Sequence, residues 1–241
     1  MRDPSVAMLA AAALTVAMLA PIAAGDITFY VEDTSPLSGS EDQLWEAAVG
    51  GFYELDLEGL GIGSIDQLLT PDPTLIIDVD LRNVAGETSE MAEIFKGSWG
   101  SPPPGTVSGV ALLDRAGGAR YSEMRFIFSK PVTGFGAWVF DNESASAESF
   151  RMIVTEVGGA EFTSEVLDAG NGVGHAVEGW LGATSNVGIT MATIQSLDAA
   201  TGNPVNKWFE VDHLHVTPAP GAVLLGAMGL GLVGWLKRRR G

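Results

Sequence analysis

The chain has 241 residues, a formal net charge of −17 and no cysteine. Disulfides, thiolate metal sites and a cysteine nucleophile are therefore excluded, and stability falls to the apolar core. An acidic surface also repels nucleic acid and anionic lipid and attracts cations.

The two ends hide part of that charge. Arg2 and Asp3 sit at the front, and Lys237, Arg238, Arg239 and Arg240 at the back; without them 8 basic residues face 29 acidic ones, a net charge near −21 for the middle. About 190 residues remain between the ends, enough for one large domain or two small ones. The chain's 31 glycines suit turn-rich β structure better than a helical bundle.

At the start, Val6–Ala20 is a run of Ala, Leu, Val and Met with a single Thr15, followed by Pro21 and the small residues Ala23 and Ala24. An apolar stretch closed by small residues reads as a signal peptide over residues 1–24, helical and cut near Ala24. An uncleaved membrane anchor is the alternative reading.

Ile27–Val31 opens the mature chain as a short strand. Ser40 with Gln43 forms a capping-box pattern, Leu44/Ala48 and Trp45/Val49 fall at i,i+4 spacing, and Gly50-Gly51 stops the helix so predicted. Strands follow at Tyr53–Leu57, Leu75–Leu81 and Val107–Leu113, with a break at Pro102–Gly105 that reads as a loop or as a domain boundary. The second half is more regular: Met124–Ser129, Thr133–Phe140, Phe150–Val157, Glu161–Leu167, Val187–Gln195 and Trp208–Val216 read as strands. Gly117-Gly118 and Gly158-Gly159 supply hairpin turns. In Phe150–Val157, Phe150, Met152 and Val154 share one face, and Thr133–Phe140 is apolar on both faces, as a central strand should be. The expected fold is mostly β: one sandwich or jelly roll over residues 25–216, with a single short helix.

The chain ends in Thr217-Pro218-Ala219-Pro220, sixteen uncharged residues Gly221–Leu236, and the basic cluster Lys237–Arg240. Sixteen apolar residues are at the short limit for a membrane helix, expected over about 219–236. The basic end stays cytoplasmic and leaves the middle outside. A buried core helix is the other reading, against which the terminal basic cluster argues.

This order of parts resembles the PEP-CTERM sorting tail of exosortase-processed proteins in Gram-negative bacteria. That tail joins a Pro-Glu-Pro motif to a Gly/Leu-rich hydrophobic stretch and a terminal arginine cluster. Pro218, Ala219 and Pro220 stand at the motif, and Lys237, Arg238, Arg239 and Arg240 at the cluster. Ala219 replaces the usual glutamate, which leaves both a cleaved and a retained tail open. Trp45–Gly51 and Leu55–Leu60, together with Pro131–Ala137 and Phe209–Asp212, are similar to strand patterns in the exported domains of the same group. Those domains in turn are similar to carbohydrate-binding jelly rolls, in which an early-strand Glu and a last-strand Asp share a structural Ca²⁺. The resemblance thus implies Glu58 and Asp212 as a calcium pair, with Asp56 and Asp141 as weaker additions. As residues alone, both read equally as solvated surface acids.

His213 and His215 alternate on the last predicted strand, so both rings should project from one face; they could take zinc, with His175 as a third ligand. A polar face of an edge strand explains them as well. Trp99 and Trp180 lie in loose, glycine-flanked settings and are the candidates for stacking on a sugar ring, whereas Trp138 and Trp208 belong to apolar strands and read as core. The sequence has no nucleophile elbow, no His-Glu-x-x-His and no phosphate-cradling loop.

The expectation is therefore a non-enzymatic, exported cell-surface or matrix protein with no required cofactor, structural or adhesive in role, with glycan binding as the ligand-binding form of that role. Its partners would be export machinery, an exosortase-like enzyme, the membrane through the C-terminal helix, and extracellular polysaccharide. The competing reading is a secreted glycan-active hydrolase using paired carboxylates.

Overall fold

A computed structural model describes residues 25–33, 41–55, 57, 63–89, 92–96, 111–115, 120–141, 148–168, 177–207 and 209–219. These form fourteen strands and one helix in the order β1 (Ile27–Asp33), α1 (Glu41–Val49), β2 (Tyr53–Leu55), β3 (Gly63–Ile65), β4 (Gln67–Leu69), β5 (Ile76–Arg82), β6 (Thr88–Ser89), β7 (Ala92–Lys96), β8 (Ala111–Arg115), β9 (Glu123–Asp141), β10 (Glu148–Glu156), β11 (Glu161–Thr163), β12 (Leu167–Asp168), β13 (Val177–Asp198) and β14 (Phe209–Pro218). All pairings among the described strands are antiparallel. The mostly-β expectation holds in that form.

Two long strands organise the molecule. β9 and β13 pair along most of their length, with register shifts between Thr184 and Met191. On one side of this irregularity, Glu123–Phe128 of β9 pairs with β5, and Ile189–Asp198 of β13 pairs with β10. On the other side, Val132–Asp141 pairs with β14 and Gly179–Ser185 with β1. Bulges bend strands and raise their twist, so each long strand serves two half-sheets. The halves face one another: Phe150 of β10 packs on Phe209 of β14 with ring centroids 5.3 Å apart, and Phe126 on Phe135 at 4.8 Å. The fourteen described strands belong to one antiparallel sheet, whose two parts are brought against each other by the irregularities in β9 and β13.

The alternation of Phe150, Met152 and Val154 puts all three in the core, and β9 lies between β13 and β14 with Phe135, Ala137 and Val139 fully buried. Met124–Ser129 and Thr133–Phe140, expected as separate strands, are one strand running through Pro131. The proline is accommodated at the irregularity, where a missing N–H is tolerated. Gly158 and Gly159 turn β10 into β11 with positive φ, as a tight hairpin requires. Residues 177–186 were not expected as strand because glycine interrupts their pattern. They form the first half of β13, of which the expected strand Val187–Gln195 is the regular second half.

Helix α1 stops where Gly50 takes φ +70 and donates its N–H to Glu46 O at 3.0 Å. Of its two candidate apolar pairs, Trp45/Val49 faces the sheet, and Leu44 is exposed. No helix among the described residues is long and apolar enough to cross a membrane. The expected signal segment with its cut near Ala24, the capping Ser40, the Gly117-Gly118 turn, and the tail from Pro220 through Lys237–Arg240 lie outside the described residues.

Candidate functional site

Strand β2 lies against the last strand in the register Leu55↔Leu214, Glu54↔His215, Tyr53↔Val216. Directly paired residues put their side chains on one face, so Glu54 and His215 are neighbours by ladder geometry. On its other edge β14 pairs with β9, and there its register shifts between Asp212 and His215. Within this bulge His213 adopts φ +46, the left-handed region that non-glycine residues seldom occupy. The bulge brings the His213 ring to the same carboxylate: Nδ1 of His213 is 2.7 Å from Glu54 Oε1, and Nε2 of His215 is 3.9 Å from it. One ligand atom from each of the three lies within 4.8 Å of the other two.

The floor of this group is aromatic. Trp45, Trp138 and Trp180 form a second core cluster between α1 and the sheet, with Tyr30, Val49 and Phe52 against it. His215 stacks on Phe52 with centroids 4.3 Å apart and lies 5.1 Å from Trp180. Glycines make room for this layer: a Cβ on Gly182 would fall 2.7 Å from Trp180 Nε1 and 2.9 Å from Trp45 Cδ1. Trp45 Nε1 donates to Ala183 O at 3.0 Å.

Burial, and then the neighbouring His213, push the His215 imidazole down to about 4, so it is neutral at physiological pH. Its Nδ1 and the His213 Nε2 are both buried without a hydrogen-bond partner. Glu46 Oε1 lies 3.8 Å from that Nδ1. Burial raises the Glu46 carboxyl, and Asp42 and Glu54 add to the effect. Glu54 is half-exposed, so the group opens to solvent on one side. Two imidazoles with a carboxylate are a donor set suited to zinc and its first-row neighbours; calcium prefers oxygen donors alone.

The expected histidine pair is thus brought together, with Glu54 as third member. Glu54 went unnoticed because only the β2–β14 register sets it opposite His215. His175, expected as the third ligand, lies outside the described residues. Of the calcium pair, Asp212 is buried in β14 with Oδ1 accepting the His213 N–H at 2.7 Å, and Glu58 lies outside the described residues, as does Asp56. Asp141 closes β9, paired with Phe209.

Trp180 corrects its expectation. Its ring is fully buried on a strand, in room left by Gly136 and Gly182, while the flanking Gly179 lies against the Glu32 carbonyl. Trp138 is buried, as a core reading requires. Trp99 and Trp208 lie outside the described residues. Of the sorting motif, Pro218 and Ala219 line a cavity of about 250 Å³ with Asp72, Thr74, Leu75, Lys130 and Pro131.

No protein-family model matches the chain, and no curated protein matches it. Among solved structures, it is similar to the CBM51-2 and INT domains of Clostridium perfringens ZmpB at 12% identity over 69% of this chain and 32% of that one, with a TM-score of 0.30. An exo-β-agarase aligns at 13% identity over 70% of this chain and 26% of the other, TM-score 0.27. The K1 cleaved adhesin domain of Lys-gingipain from Porphyromonas gingivalis W83 aligns at 12% identity over 81% of this chain and 99% of that domain, TM-score 0.24. The chain spans about a third of the first structure and about a quarter of the agarase. At these scores the likeness decides neither family nor activity.

Proposed function

We propose that the chain is an exported, non-enzymatic component of the surface or extracellular matrix of a Gram-negative cell. Residues 1–24 direct export and are removed, residues 25–216 are the ectodomain, and residues 217–241 are the PEP-CTERM-like tail that an exosortase-type enzyme reads. The ectodomain is structural or adhesive, and glycan is the ligand class of an adhesive role. A divalent transition ion at Glu54, His213 and His215 would brace the last strand against β2.

The export and sorting parts rest on the terminal sequence, and one structural observation supports the scaffold role of the ectodomain. Trp45, Trp138, Trp180 and His215, side chains suited to ligand or catalytic work, are packed into the interior between α1 and the sheet. There they stabilise the scaffold.

Cell fractionation of the intact protein and of a chain lacking Lys237–Arg240 tests the sorting half. The intact protein should reach the envelope or medium and the truncated one should accumulate at the inner membrane; identical distributions would remove the tail from the account. A glycan array probed with the exported protein separates the adhesive from the purely structural role. Turnover of any bound glycan would overturn the non-enzymatic reading.

A further inference from the structure

Glu156, at the bulged end of β10, is 1% exposed. Its Oε1 accepts the Ser185 hydroxyl at 2.6 Å. Ser185 Oγ itself accepts the N–H groups of Val187 and Gly188 at 3.1 and 2.9 Å, so its own hydrogen is committed to the carboxylate. The other oxygen, Oε2, accepts the backbone N–H of Gly25 at 2.9 Å. Among the described residues no basic side chain bonds Glu156. A buried carboxylate without an opposite charge is an unstable arrangement, and a single cation at Oε2 would resolve it.

The residue that fills this place follows the expected cut. In the unprocessed chain Gly25 presents a neutral peptide N–H. Hydrolysis of the Ala24–Gly25 bond adds water across it: the hydroxyl goes to the Ala24 carbonyl, and the nitrogen becomes an amine that is protonated below about pH 8. The seat is shaped for glycine, since a Cβ on Gly25 would fall 2.7 Å from Glu156 Oε1 and 2.7 Å from Val187 Cγ2. Asp26 continues the attachment, its N–H reaching Asn186 Oδ1 at 3.2 Å, and β1 then pairs with β13 from Ile27↔Ser185 onward.

We propose that Glu156, Ser185 and Asn186 form a binding site for the processed N-terminus. Removal of the signal segment at Ala24–Gly25 puts an ammonium on Glu156 and turns a hydrogen bond from a neutral donor into a buried ion pair that fastens β1 to β13. Processing by the export peptidase thereby also completes the fold. The inference rests on the export reading, so its test must tell the two apart.

The exported full-length chain is compared with one carrying Ser-Thr inserted between Ala24 and Gly25, both purified from the producing cell and their N-termini sequenced. The expected result is Gly25 as first residue of the native protein, a melting temperature about 3 °C or more above that of the extended protein, and loss of this gap in a Glu156→Gln background. Equal melting of two correctly cut proteins, or a gap that persists in the Glu156→Gln background, overturns the site and leaves export standing. A retained leader, or a native cut elsewhere, overturns the site and the removal of residues 1–24, while a leader-bearing protein left in the cytosol overturns export as well. Where Glu156→Gln does not accumulate, the native and extended proteins decide the question alone.

Discussion

Trp180 lies over Gly136: a Cβ on that glycine would fall 2.7 Å from Cη2 of the indole and closer still to Cζ2. The two are held there by the β9–β13 ladder, in which Trp180 pairs with Trp138 and Gly136 with Gly182. This glycine is needed for space, since it has no positive φ.

Gly136→Ala should therefore cost about 2 kcal/mol or more, because the indole is fixed by Trp45, Trp138 and His215 and has nowhere to move. Gly51→Ala is the matched control, since a Cβ there meets nothing within 4 Å and φ is ordinary. It should stay within about 0.5 kcal/mol of the parent. Urea denaturation of both variants measures the difference.

Trp180→Ala should behave as a core deletion, losing about 3–5 kcal/mol. A variant that melted like the parent while losing binding to one glycan would restore Trp180 to the role first expected of it. Thermal melts beside glycan-array signals decide between these outcomes.

The Glu54–His213–His215 group gives a metal prediction. Adding Zn²⁺ to the chelator-treated protein should raise its melting temperature by several degrees, since an ion that binds only the folded state stabilises it by mass action. Glu54→Ala and His213→Ala should each weaken Zn²⁺ affinity at least tenfold in calorimetric titration, and Ca²⁺ should have no such effect through these residues. Unchanged affinity in both variants would place the ion elsewhere.

Acid should loosen the metal-free protein through His215. Its folded pKa is about 4 against 6.5 unfolded, so the unfolded chain binds the proton more readily. Stability is intact above pH 6.5 and falls as pH drops toward 4, by at most about 3 kcal/mol. The groups facing the ring are His213, Glu46 and Glu54. His215→Gln should lower the baseline and flatten this part of the curve; denaturation in chelator at pH 7, 6 and 5 provides the check.

Much of the β architecture could be read from residues that repeat locally. Phe150, Met152 and Val154 alternate because one face of β10 is core, and Gly158-Gly159 turns because only glycine accepts both positive φ values readily. The helix ahead of Gly50 was legible for the same reason. The short strands β3, β4 and β6 carry too few residues for any period to show. The first half of β13 was obscured by Gly179 and Gly182, whose meaning depends on partners far along the chain: a Cβ on Gly179 would strike the Glu32 carbonyl, and one on Gly182 would meet Trp45.

By itself the sequence determined the acidic, cysteine-free, strand-dominated character of the chain, because composition and period two are local properties, whereas the shared position of His213 and His215 comes from a bulge that period two does not predict. Only the tertiary structure decided that Glu54 joins those histidines, that Trp180 is interior, and that Gly25 meets Glu156 across 131 positions. Each of these follows from strand register and from the bends in β9 and β13. A register pairs residues distant in sequence, and a shift of one residue would turn every side chain concerned to the opposite face.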